Sequence, residues 1–109
     1  FIHVADAADC LAALALDRTA PSVVNIGSGE SSRLTDVIGL VQNITGRALE
    51  VARRPARRFD VPLVELAVDT LRSLTNLSPR PLHEGIAETW REQYVPLLGD
   101  QRASGIGAG

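Results

Sequence analysis

Four arginines crowd into six positions, Arg53, Arg54, Arg57 and Arg58, with Asp60 two residues beyond the last. A guanidinium pairs bidentately with phosphate, and a neighbouring carboxylate can fix its fork or accept a sugar hydroxyl. The chemistry this spacing suggests is anion binding, with Arg57 and Asp60 as its candidate residues. A run of exposed arginines can equally be a solvated charged surface. A second candidate lies upstream, where Ser22-Val23-Val24 runs into Asn25-Ile26-Gly27-Ser28-Gly29-Glu30. Glycines at this spacing after a strand, opening a helix, cradle the pyrophosphate of a dinucleotide. Glu50 stands about twenty residues on, where a ribose acid would fall. The third glycine of that pattern is Ser32 here, and no further strand-helix units follow to build a dinucleotide crevice. A tight turn needing positive φ at Gly27 or Gly29 is therefore the reading to set against a cofactor loop.

Other reactive residues are sparse. All eleven basic residues are arginine, so no lysine of this chain can act as base or Schiff-base amine. Cys10 is the only cysteine and sits in an alanine-rich stretch, where it reads as a small buried hydrophobe. His3 reads as a satisfied core or edge histidine, and His83 as a surface residue. No Ser-His-Asp set, metal-spaced His/Cys cluster or carboxylate pair stands out.

Composition bounds what surrounds these residues. The 109 residues make one small domain with 45% apolar content. Aromatics are limited to Phe1, Phe59, Trp90 and Tyr94, so Leu, Val, Ile and Ala must build the core. A net charge of -2 gives no reason to expect nucleic-acid binding. No apolar run approaches the ~18 residues of a membrane span, and no signal peptide is visible. The expected compartment is the cytoplasm. The chain opens without Met, on strand-like Phe1-Ile2-His3-Val4, and the expectation is the C-terminal part of a longer protein.

The elements that would position the candidates follow from patterning. Phe1–Val4, Ser22–Ile26 and Ala48–Ala52 read as strands. Asp6 is a candidate N-cap for a helix from about Ala7 to Leu16, with Cys10, Leu11 and Leu14 on its stripe. Ser32 caps a second helix through Leu34, Val37, Ile38, Val41 and Ile44, ended by Gly46. Asp69 caps a short helix through Leu74. A last helix runs from Leu82 to Tyr94 with Leu82, Ile86 and Trp90 aligned. Residues 98–109 are small, polar and glycine-rich, and are expected to form a flexible tail. The predicted fold class is α/β, with few short strands and about four helices.

The order of these segments carries a resemblance. Phe1-Ile2-His3-Val4-Ala5-Asp6, Asn25-Ile26-Gly27-Ser28-Gly29, Arg57-Arg58-Phe59-Asp60, Asp69, and Leu82-His83-Glu84-Gly85-Ile86 with Thr89 and Trp90 occur in sequence. Residues 1–97 resemble the C-terminal, substrate-binding part of the NAD-dependent epimerase/dehydratase family. These are extended Rossmann-type short-chain dehydrogenases similar to UDP-glucose 4-epimerase. The resemblance implies an isomerase-type nucleotide-sugar enzyme. Its N-terminal Rossmann domain, absent from this chain, would bind NAD and carry a catalytic Tyr-x-x-x-Lys. This chain would bind a nucleotide-diphosphate sugar and hold no catalytic residue. Arg57 would meet the diphosphate, Asp60 would contact the ribose or hold the loop, and Phe1 would lie near the nucleotide. Asp6 and Asp69 would cap helices, and Asn25–Gly29 would be a structural turn. The partners implied are the protein's own Rossmann domain and a second copy in a homodimer. The sequence departs from the family at Ala5, at Phe59 where a glycine is usual, and across Leu74–Pro79. A dehydratase, reductase or decarboxylase of the same superfamily, and a non-catalytic domain retaining the fold, remain alternatives.

Overall fold

The computed structural model describes residues 1–97; the expected tail at 98–109 lies outside the described residues. Four α-helices form, in chain order α1 (Val4–Ala15), α2 (Leu34–Thr45), α3 (Asp69–Leu74) and α4 (Leu82–Thr89), and α4 continues into a π-helical turn over Trp90–Tyr94. The four helices fall close to their predicted places, but the predicted strands do not form. Among the described residues there is no strand, so the α/β class expected for the chain is corrected to all-helical with extended connections.

The physical reason is local at each site. Phe1–Val4 loses its end to α1, because the His3 Nδ1 accepts the Ala5 N–H at 3.1 Å and caps the helix there. Asp6, the predicted cap, instead lies inside the first turn. The stretch 48–52 hangs from a helix rather than a sheet: the Leu49 N–H donates to the Gln42 Oε1 of α2 at 3.0 Å. The stretch 22–26 is extended and runs beside residues 66–68. One side-chain bond, Asn25 Nδ2 to the Ala67 carbonyl at 3.3 Å, stands where a ladder would be. A strand needs a partner for its backbone groups, and these segments find none in one another.

Helix ends are set as the sequence suggests in part. Gly46 closes α2 in the left-handed conformation, φ 67°, its N–H bonded to the Gln42 carbonyl. Ser32 does not cap α2; Arg33 occupies that position without a side-chain bond. Asp69 is the first residue of α3 rather than its cap, which is Val68.

The core is small. Cys10, Val68 and Leu71 are buried, with Leu14, Val24 and Ile26 packed against them. Leu16 is 86% exposed and Val23 81%. The face between α2 and α4 stays open as an apolar groove of about 590 Å³, lined by Phe1, Val41, Leu49, Ile86, Trp90 and Tyr94. Trp90 and Tyr94 stack at 5.7 Å between centroids, and the Arg47 guanidinium lies 5.6 Å over the Trp90 ring. No described helix is long and apolar enough to cross a membrane.

Candidate functional site

The basic loop folds on itself around one residue pair. The Asp60 N–H donates to the Arg57 carbonyl at 3.1 Å, closing a turn. The Asp60 carboxylate then takes the Arg57 N–H on Oδ2 at 2.7 Å and the Arg57 Nε on Oδ1 at 3.1 Å. The Arg57 Nη2 lies 3.0 Å from the same Oδ1. Phe59, between them in sequence, puts its ring 4.7 Å below the guanidinium carbon. Arg57 is thus held on one edge by a carboxylate and on one face by an aromatic ring. Its side chain remains 69% exposed. Both oxygens of the Asp60 carboxylate face Arg57. Arg53, Arg54 and Arg58 are exposed.

Phe1 is exposed. It borders the apolar groove and a second, polar cleft of about 580 Å³ between Ser28–Ser32 and residues 72–82. The structure brings Arg57 and Asp60 together, and neither lines the two cavities that Phe1 borders.

Asp6 takes a part that the sequence did not show. Its carboxylate receives the Arg80 N–H at 2.9 Å, the Arg80 Nε at 3.0 Å and the Arg80 Nη2 at 3.3 Å, across 74 residues of sequence. Arg80 reaches on to Glu88 of α4 through Nη1. The result is a clamp tying α1 to α4. Burial alone pushes the Asp6 carboxyl up, but the backbone N–H and guanidinium of Arg80 outweigh it and hold the group below the usual carboxylate range. The only sequence signal near Arg80 is its place between Pro79 and Pro81, which restrict its backbone but name no partner.

Cys10 is the buried hydrophobe its neighbours suggest. Burial, with the charges of Asp6 and Asp9, pushes its thiol up, away from the reactive thiolate. His83 is exposed, and no group of three metal-ligating side chains comes together among the described residues.

The glycine turn does not suit a dinucleotide. Gly29 has φ +77°, and a Cβ there would stand 2.6 Å from the Val68 Cγ2 and 2.8 Å from the Arg72 Nη2. At Gly27 a Cβ would meet Leu66 at 3.2 Å. The space these glycines leave open is filled by residues 66–72, not available to a pyrophosphate. α2 begins five positions beyond Gly29, so it does not open directly from the turn. The residues that fill this space, Leu66, Val68 and Arg72, were missed in the sequence. Apolar residues at every second position, Val64, Leu66 and Val68, were the available signal.

The two positive-φ glycines give a paired test. Gly46→Ala is expected to cost about 1 kcal/mol, because its surroundings are empty and only the left-handed backbone opposes a side chain. Gly29→Ala is expected to cost about 1–3 kcal/mol more, from the added clash with Val68. Urea midpoints of the two variants check this. Equal losses would mean that the 66–72 segment does not pack on the turn.

The chain thus carries a carboxylate-held arginine on an exposed loop. It is similar to the dTDP-6-deoxy-L-talose 4-dehydrogenase (NAD(P)(+)) of Kitasatospora kifunensis, at 32% identity over 97 residues. The similarity covers 85% of this chain and 30% of that enzyme, so the chain spans about a third of its curated relative. That relative is an enzyme of the NAD-dependent epimerase/dehydratase family, and the similarity supports that family for this chain. No protein-family model and no solved structure matches.

Proposed function

We propose that this chain is the nucleotide-sugar-binding part of an NAD(P)-dependent sugar-modifying enzyme, and is not catalytic by itself. The observation that carries the reading is the similarity to a dTDP-sugar dehydrogenase along 85% of the chain. The ordered motifs from Phe1 to Trp90 agree with it. In this reading Arg57 binds the diphosphate end-on, Asp60 holds Arg57 in place, and Phe1 lies near the nucleotide once the rest of the enzyme is present. The cofactor is bound by an N-terminal Rossmann domain, since the glycine turn here is filled by Val68 and Arg72. That domain also covers part of the apolar surface left open around α2 and α4. In the full enzyme hydride passes between the sugar and the nicotinamide, and proton transfer falls to residues outside this chain.

The relative is a dehydrogenase, which favours an oxidoreductase acting on a sugar carbon over the 4-epimerase first expected. The test is spectrophotometric. Full-length protein is mixed with NADPH or NADH and a dTDP-4-keto-6-deoxy sugar, and with NAD and UDP-glucose. Cofactor oxidation with the keto sugar supports the reductase. Interconversion of UDP-glucose and UDP-galactose without net cofactor change supports the epimerase. Failure to bind either nucleotide sugar sinks the reading.

A further inference from the structure

We infer that Phe59 is a positioning residue for Arg57, holding its guanidinium flat so that it offers a phosphate only its outer edge. The inference rests on the proposed role of Arg57 and adds to it a residue and a direction of approach. Arginine has four side-chain torsions, and an exposed one samples many rotamers that a bound anion must suppress. Here two independent contacts suppress them beforehand. Asp60 occupies the Nε and the near side of Nη2, at 3.1 and 3.0 Å. The guanidinium carbon lies over the Phe59 ring, 4.7 Å from its centroid, within the range of a cation–π contact. Neither contact alone would suffice. A single carboxylate oxygen leaves the plane free to rock about it, and a ring face leaves it free to slide. Together they define both the edge and the plane.

The edge that remains is Nη1 with the outer N–H of Nη2. Among the described residues Nη1 has no protein acceptor, and the side chain is 69% exposed. Those two N–H groups lie parallel, the arrangement that takes two oxygens of one phosphoryl group. The Nε edge, which an unrestrained arginine also uses, is closed to the ligand by Asp60. Phe59 itself is 73% exposed, so its place is not explained by burial in the core.

The experiment uses the full-length protein labelled with nitrogen-15 in arginine, with UDP-glucose as the probe ligand. Phe59→Leu removes the ring and keeps an apolar side chain. It is expected to raise the fast motion of the Arg57 Nε–H group in the absence of ligand. It is also expected to weaken UDP-glucose binding about two- to fivefold, the size of an exposed cation–π contact. Phe59→Tyr keeps a ring face and is expected to restore both. Unchanged Arg57 motion in Phe59→Leu overturns the inference, and so does failure of Phe59→Tyr to restore it. If Arg57→Ala leaves binding untouched, the proposed role of Arg57 falls, while the ligand-free motion still decides whether Phe59 orders that side chain.

Discussion

Replacing Arg57 with alanine in the full-length protein is expected to weaken UDP-glucose or dTDP-glucose binding by about 10- to 150-fold. That is the loss of one charged hydrogen-bonding partner of a phosphate, about 1.5–3 kcal/mol. The effect should be large because the guanidinium is ordered before the ligand arrives, so its interaction is not spent on freezing rotamers. Arg57→Lys should recover little of it. An ammonium carries the charge but has no plane to rest on Phe59 and no second parallel N–H for the phosphoryl oxygens. Asp60→Asn should be intermediate, since an amide can still accept the Arg57 backbone N–H but no longer anchors the guanidinium by charge. Isothermal titration on the three variants gives the ranking. An Arg57→Ala protein that binds as tightly as wild type would remove Arg57 from the site.

The second large effect is on stability, and it comes from Asp6. Asp6→Ala deprives the Arg80 N–H and guanidinium of their shared acceptor, and the carboxylate is only 12% exposed. A loss of about 1.5–3 kcal/mol is expected, with α1 loosened from α4. Because this carboxyl titrates below its unfolded value, the stability it contributes is present above about pH 4 and is lost as pH falls through its folded pKa. The acid limb of a stability profile should therefore be flatter in Asp6→Ala than in wild type. Thermal melts between pH 3 and pH 7 check both parts, and parallel acid limbs in the two proteins would show that Asp6 carries no such linkage.

Much of the helical framework was legible in the sequence. The spacing of Leu34, Val37, Ile38, Val41 and Ile44, ended by Gly46, places α2 to within a residue or two, because helix periodicity and a left-handed C-terminal glycine are local properties. Strands were not legible in the same way. Ser22–Ile26 and Ala48–Ala52 have the composition of strands, but a strand is completed by a neighbour, and here the Asn25 side chain donates to the Ala67 carbonyl while the Leu49 N–H donates to the Gln42 side chain. The same distinction divides the site. Arg57 and Asp60 lie within one turn of chain, so their pairing could be anticipated from spacing. The Asp6–Arg80 clamp joins residues 74 positions apart, and nothing local to Asp6 distinguishes a helix cap from a long-range acceptor.

The sequence by itself determined the order of motifs, the helix positions, the absence of lysine and the arginine-rich loop with its carboxylate. These depend on residue type and short spacing, which folding does not alter. Only the tertiary structure decided that the glycine turn is filled rather than open, and that Asp6 binds Arg80 rather than capping α1. Each of those outcomes turns on which distant segment occupies the space beside a residue, and that occupancy is set by packing between elements rather than by any one of them.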